Sequence, residues 1–293
     1  MKVRQLGNSS LTVSELSLGC MSLPSDPQLA KPIIDLAINA GINYFDTADL
    51  YNKGENEALI GQLLKPHRSN VYIATKVGNR FSKQEEGWTW DPTRAHILKS
   101  VKESLQRLQT DYIDLYQLHG GTIDDNLDEV IDTFEQLKKE GYIREYGISS
   151  IRPNVFVPFS QSNAVSNMMQ FNMLDRCAEE FFDTLVENNM SVVTRGTLAK
   201  GLLTNDWATK CKPYMNYTEQ ELVPLLQEIS SSHDLHALAI AFNLQFKAIA
   251  STVIGASHVA QLQETLDAYS RMPKTFPQEV LSLLKVDRYH THR

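Results

Sequence analysis

Eight times between residues 14 and 270 an apolar, strand-like run gives way to a segment whose apolar positions recur every three or four residues. The strand-like runs are SELSLGC (14–20), INYFD (42–46), VYIATKV (71–77), DYIDLYQLH (111–119), IREYGIS (143–149), VSNMMQF (165–171), SVVTR (191–195) and TVIG (252–255). Each is followed by a helix-like segment, from QLAKPIIDLAINA after the first to VAQLQETLDAYS after the last; the one near Pro153–Ser162 is weak. By counting, the apolar stretch HALAIAFNLQF (236–246) before the last strand is surplus. Parallel strands joined by crossover helices must be covered outside, and eight of them close into a (β/α)8 TIM barrel. The opening VRQLGNSSLTVSEL reads as a β-hairpin around a Gly-Asn-Ser turn. An open doubly wound sheet would carry a Gly-rich nucleotide fingerprint after its first strand, but SLGCMSLPS there holds a single Gly. No Pro/Ser-rich linker interrupts the pattern, so residues 1–293 are read as one domain.

Charge and cysteine usage narrow the function classes. A formal charge of −7 with no basic run argues against a nucleic-acid or anionic-membrane surface. The start MKVRQLGNSS lacks the apolar core of a signal peptide, and no run is long enough to span a bilayer. Cys20, Cys177 and Cys211 are widely spaced and show no disulfide or CxxC pattern. A reduced, cytoplasmic protein is expected.

In a barrel, chemistry collects where strands end at the C-terminal face. From the second strand to the eighth, the ends carry Asp46, Lys76, His119, Ser149, Gln170, Arg195 and Gly255. Side-chain parity puts Asp46 on one face with Ile42 and Tyr44, and Lys76 with Tyr72 and Ala74. Singly, each polar residue has a structural reading: an ion pair closing the barrel, a hydrogen-bonded core histidine, a loop tyrosine covering apolar surface. Together, a phenol (Tyr51), an ammonium, an imidazole and a carboxylate make a group built to deliver one proton. A free phenol, with a pKa of about 10, is a weak acid, and an ammonium ~4 Å away at an effective dielectric near 20 favours phenolate by roughly 4 kcal/mol. Zinc binding by Asp46 and His119 would lack a third ligand and suffer repulsion from Lys76. The tail His290-Thr-His292 is expected to be disordered rather than metal-binding.

From the hairpin to the eighth helix the chain resembles the aldo-keto reductases. FDTADLYNKGENEALIG (45–61), ATKV (74–77) and DLYQLH (114–119) match three separate motifs of that family, in order and spacing. The branch it resembles includes potassium-channel β-subunits and bacterial oxidoreductases. The resemblance implies reversible, metal-independent reduction of an aldehyde or ketone by NADPH, with Asp46, Tyr51, Lys76 and His119 as catalytic tetrad. It further implies cofactor contacts from Met21, Ser149 and Gln170, from Arg195, Gly196, Leu198, Lys200 and Gly201 in RGTLAKGLL, and from Gly255, Ser257, Gln261 and Glu264 in GASHVAQLQET. Trp88 and Trp90 are candidate substrate-pocket walls, with loop packing as the alternative.

Several positions depart from the family pattern. Arg195 stands where many members stack an aromatic ring, Gly196-Thr197 where Ser-Pro is common, Gly255 and Gln261 where a Lys and an Arg grip the 2′-phosphate, and Thr265 where an Asn is common. NADP(H) is favoured, and NAD(H) stays open. A small-molecule carbonyl or alcohol is the implied partner. The alternative reading is a cofactor-binding, redox-sensing regulatory subunit with slow reductase chemistry; the lack of an added partner-binding domain favours the enzyme. An isomerase on the same barrel would want a Glu base and a phosphate-gripping loop, and neither stands out.

Overall fold

The computed structural model describes residues 1–82 and 86–292. A hairpin of β1 (Val3–Gln5) and β2 (Thr12–Ser14) precedes the barrel, whose strands are β3 (Leu16–Gly19), β4 (Tyr44–Asp46), β5 (Tyr72–Val77), β8 (Ile113–Leu118), β9 (Ile143–Ile148), β10 (Ser166–Gln170), β11 (Ser191–Arg195) and β12 (Ile249–Gly255). These eight strands are parallel and the sheet closes on itself, β12 pairing with β3. A short ribbon, β6 (Asn79–Arg80) with β7 (Thr89–Trp90), stands beyond the end of β5.

The helices are α1 (Pro27–Asn39), α2 (Glu55–Leu64), α3 (Arg94–Leu108), α4 (Leu127–Lys139), α5 (Pro153–Phe159), α6 (Phe182–Glu187), α7 (Trp207–Lys210), α8 (Glu219–Ser232), α9 (Leu235–Leu244), α10 (Val259–Ser270) and α11 (Gln278–Leu283). Asp26, Thr93, Asn126 and Asp234 each accept a backbone N–H at a helix start, and Thr218 with Glu221 forms a capping box.

Counting had made the apolar stretch before the last strand surplus; the structure reverses this. That stretch is α9, buried at every residue and packed on β12 and α10, so it is the crossover helix of the barrel. The additional helix is α8, which buries only Leu222, Leu226 and Ile229. A helix apolar all round takes the covered place, and an amphipathic one is left outside.

Alternation along the strands divides the core in two. Tyr44, Ala74, Leu115, Met168, Val193 and Ala250 fill the barrel interior, joined from below by Leu6, Leu11 and Val13 of the hairpin. Arg4 fixes this plug: its guanidinium donates to the carbonyls of Leu244, Phe246 and Ile249, and pairs with Glu15 at 2.7 Å. Chemistry is thereby left to the opposite end. The tail, expected to be disordered, lies on the fold: the His292 carbonyl accepts from Asn154 N–H at 2.8 Å, and Tyr289 packs 6.2 Å from Phe181.

Helices α2 and α3 approach closely at Gly61. A methyl group there would lie 2.5 Å from the Leu108 carbonyl carbon and oxygen. Ala favours an exposed helix over Gly by about 1 kcal/mol, but overpacking against backbone costs about 1–3 kcal/mol. Gly61→Ala is therefore expected to destabilise the fold, read as a lower urea midpoint; an unchanged or raised midpoint would contradict the packing.

Candidate active site

At the barrel's C-terminal mouth, Asp46 ends β4 and Lys76 lies one residue from the end of β5. Both are buried. Lys76 Nζ donates to Asp46 Oδ1 at 2.8 Å, to Asp46 Oδ2 at 2.7 Å and to the Thr47 carbonyl at 2.7 Å, so all three ammonium protons have acceptors. Burial opposes the charge on Lys76, but Asp46 and then Tyr51 outweigh it and raise its pKa. Burial likewise pushes the Asp46 carboxyl up, against the pull of Lys76. The short bidentate contact and the raised Lys76 make this an ion pair at neutral pH.

Tyr51 follows on a tight loop. Asn52, Lys53 and Gly54 take φ of 47°, 52° and 88°, three successive residues in the left-handed region, which turn the chain from the strand end into α2. Gly54 is needed twice: for its φ, and because a side chain would strike Arg107 Cδ at 2.7 Å. The Tyr51 ring lies 5.1 Å from Lys76 Nζ, measured to its centroid, and meets His119 edge-on at 5.9 Å. Three motifs separated by up to 73 residues thus converge on one spot.

His119 sits one residue beyond β8, with Nδ1 buried and unpartnered. Burial, then the charges of Lys76 and Arg195, lower its pKa to about 3. It is a neutral imidazole at physiological pH. Beside it opens a cavity of about 360 Å³ lined by Trp88, Trp90, Ser149, Ile151, Arg152 and Arg195 among others. Both candidate wall tryptophans therefore face it. Trp90 is held by Nε1–H donation to Asp125 at 2.9 Å, whereas Trp88 is 56% exposed.

The remaining strand tips form a ledge on the other side of the mouth. Arg195 donates to Gln170 Oε1 at 3.1 Å, and Gln170 Nε2 donates to Asp175 at 2.6 Å. The Gly196 carbonyl accepts from Asn172 at 2.8 Å. Beyond it Ala199, Lys200 and Gly201 take positive φ and turn the loop sharply. A second cavity of about 260 Å³ lies farther out, lined by Leu198, Lys210, His236, Gln261, Glu264 and Arg271 among others. Gln261 Oε1 accepts from the backbone N–H and hydroxyl of Ser257 before α10. Gly255 ends β12, and a Cβ there would strike Ser22 Oγ at 2.7 Å. Met21, in the turn after β3, is 64% exposed. An extended dinucleotide needs an amide partner, a flat cation or ring, a loop rich in turned backbone and a separate adenosine recess. Ledge, loop and outer cavity fit that order.

The sequence profile of the aldo/keto reductase family matches residues 15–285. The chain belongs to the aldo/keto reductase family. It is similar to uncharacterized oxidoreductase YqkF of Bacillus subtilis (strain 168), 47% identical over 305 residues with both chains fully covered. A probable voltage-gated potassium channel subunit beta of Arabidopsis thaliana is 25% identical, with 94% of each chain covered. Among solved structures it resembles aldo-keto reductase AKR11C1 from Bacillus halodurans. Against the holo form the TM-score is 0.97 at 50% identity, covering 100% of this chain and 99% of the other. Against the apo form it is 0.88 at 46% identity, with the same coverage. This aldo/keto reductase is thus an oxidoreductase by family.

Sequence reasoning missed the supports behind Lys76 and Tyr51. Glu57 of α2 is fully buried and accepts from Thr75 Oγ1 at 2.5 Å, Arg107 Nε at 2.7 Å and Ser104 Oγ at 3.3 Å. It thereby ties the Lys76 strand to the arginine that backs Gly54. Asp49 is buried beside it; burial and the Glu57 charge push its carboxyl well above the usual range. A signal existed, since Glu57 falls on the same helical stripe as Ile60, Gly61 and Leu64, where a charge is out of place.

Two imidazoles, His236 buried and His119 half-buried with its Nδ1 enclosed, make stability depend on pH. His119 is lowered to about 3 and His236, by burial first, to about 4, both from an ordinary 6.5. Below pH 6.5 the unfolded chain takes up protons that the folded one refuses. The stabilisation is complete above that pH and declines as pH falls toward these values, by at most ~1.4 kcal/mol per unit for each imidazole. Urea midpoints at pH 7.5 and 5 are expected to differ accordingly, with a shallower slope for His119→Asn. An identical slope in the variant would reject a neutral His119 in the folded protein.

Proposed function

We propose that this aldo/keto reductase converts an aldehyde or ketone to the alcohol with NADPH, reversibly, and that Asp46, Tyr51, Lys76 and His119 are its catalytic residues. The observation that carries this reading is the Tyr51 ring set against both the Lys76 ammonium and the His119 ring, with His119 lining a cavity. When bound, the reduced nicotinamide supplies a hydride to the carbonyl carbon. Tyr51 gives its hydroxyl proton to the carbonyl oxygen, so that hydride and proton together make the alcohol. As that proton leaves, charge grows on the phenol oxygen, and Lys76 stabilises it in a site with little water. Asp46 keeps Lys76 charged and aimed. His119, neutral, can donate a ring N–H to the substrate oxygen and orient it.

Ser149, Gln170 and Arg195 would hold the nicotinamide end, with Met21 at the rim. Gly196, Leu198, Lys200 and Gly201 would run along the pyrophosphate; Gly255, Ser257, Gln261 and Glu264 would border the adenosine. Similarity to the holo form above the apo form supports a cofactor-ready arrangement. For the 2′-phosphate the outer cavity offers Lys210, folded over Gly201, and Arg271, which is tied to Asp234 at 2.7 Å. The regulatory-subunit reading shares this site; the complete tetrad favours turnover.

Tyr51→Phe is expected to keep NADPH affinity while lowering aldehyde reduction by about 10²–10⁴-fold, the usual contribution of a positioned acid. Lys76→Met should lose comparable activity and displace the pH profile; near-normal turnover in either variant refutes the assignment. Fluorescence titration should give a lower Kd for NADPH than for NADH, with the gap narrowed in Lys210→Ala. Equal affinities would reject NADPH preference.

A further inference from the structure

The cavity beside His119 is cationic although the protein carries a net charge of −7. Its charged lining residues are Arg152 and Arg195, and no carboxylate lines it among the described residues. Eight arginines elsewhere have an acidic partner within 4 Å. Arg152 and Arg195 have none among the described residues. Arg195 is engaged on the ledge with Gln170. Arg152 sits on the other side, in the loop after β9, half-buried, with Nη1 donating to the Gly121 carbonyl at 2.6 Å. That bond fixes the guanidinium and leaves the rest of its planar fork without an acceptor among the described residues, the geometry that suits a carboxylate or phosphate.

The same cavity is apolar on its flanks. Trp90 is rigidly placed, pinned by Asp125 and backed by Gly78, where a Cβ would strike the indole at 2.5 Å. Trp88 and Ile151, which line it, also expose apolar surface. A substrate laid against this wall removes apolar area from water on both partners, worth about 25 cal/mol per Å². A small hydrophilic carbonyl would use neither the indoles nor the free guanidinium.

We infer that the site takes carbonyl compounds pairing a flat apolar body with an anionic group, and that Arg152 holds the anion. Arg152 is then a specificity-determining residue, acting on substrate affinity and not on proton transfer. The inference rests on the reductase reading for the fate of the carbonyl, but the recognition it describes does not require turnover.

The test uses the full chain with NADPH and two aldehydes that differ by one charge, 4-carboxybenzaldehyde and its methyl ester. The acid is expected to have a kcat/KM roughly tenfold or more above the ester, through KM, as a charge-assisted hydrogen bond of about 1.5 kcal/mol or more requires. Added KCl should shrink the advantage by raising KM for the acid. In Arg152→Gln the ratio should fall to near one, and Arg152→Lys should restore part of it. An acid no better than its ester in the wild-type protein, or a ratio that survives Arg152→Gln, overturns the inference.

Binding of benzoate against benzamide to the cofactor-loaded protein, followed by tryptophan fluorescence, separates the two readings. Tighter benzoate with no reduction of either aldehyde sinks the reductase reading alone. Reduction of the ester with equal binding of benzoate and benzamide sinks this inference alone.

Discussion

Everything at the mouth is arranged around one buried ion pair. Taking Asp46 and Lys76 out of water costs several kcal/mol per charge, and their attraction repays this only when the geometry is good and no proton or lone pair is stranded. Here both carboxylate oxygens and the Thr47 carbonyl satisfy the ammonium. Removing one partner would leave the other uncompensated, typically at about 3–5 kcal/mol. The pair also joins adjacent strands at the barrel's end, so the cation is fixed to the frame. A loop-borne lysine would lose in precision what it gained in freedom.

The supports of Tyr51 obey the same logic from the opposite direction. Its loop uses three residues in the left-handed region, a conformation that Asn52 and Lys53 adopt at some cost. Such a turn holds its shape only when its surroundings dictate it. Arg107 presses on Gly54 from α3, Glu57 clamps Arg107, and Thr75 links Glu57 to the lysine strand. The phenol is thus located by a chain of polar contacts behind it.

Much of this was legible in the sequence because a barrel converts order along the chain into position around a ring. Strand ends could be read from apolar runs, and parity sent Asp46 and Lys76 inward. The hairpin, the eight units and the convergence of Asp46, Tyr51, Lys76 and His119 follow from that. What escaped depended on contacts between elements. Three helices lie between β11 and β12, and only packing shows that α9, not α8, covers the sheet. Glu57 and Arg107 are ordinary charged helix residues until their helices meet at Gly61. The tail was expected to be disordered as chain ends commonly are, but Tyr289 finds Phe181, and a backbone bond from Asn154 to His292 holds it on α5. Arg152 was invisible for the opposite reason: what sets it apart is that it has no acidic partner among the described residues.

The plug at the barrel's base bears on how the chain matures. Arg4 takes acceptors at Leu244, Phe246 and Ile249, about 240 positions later in the chain. Contacts of such separation are entropically late and slow to form. The hairpin must therefore wait until the segment around β12 has been made before its seat exists. Closure of the ring and sealing of its floor become one terminal event, and a nascent chain arrested short of β12 has neither.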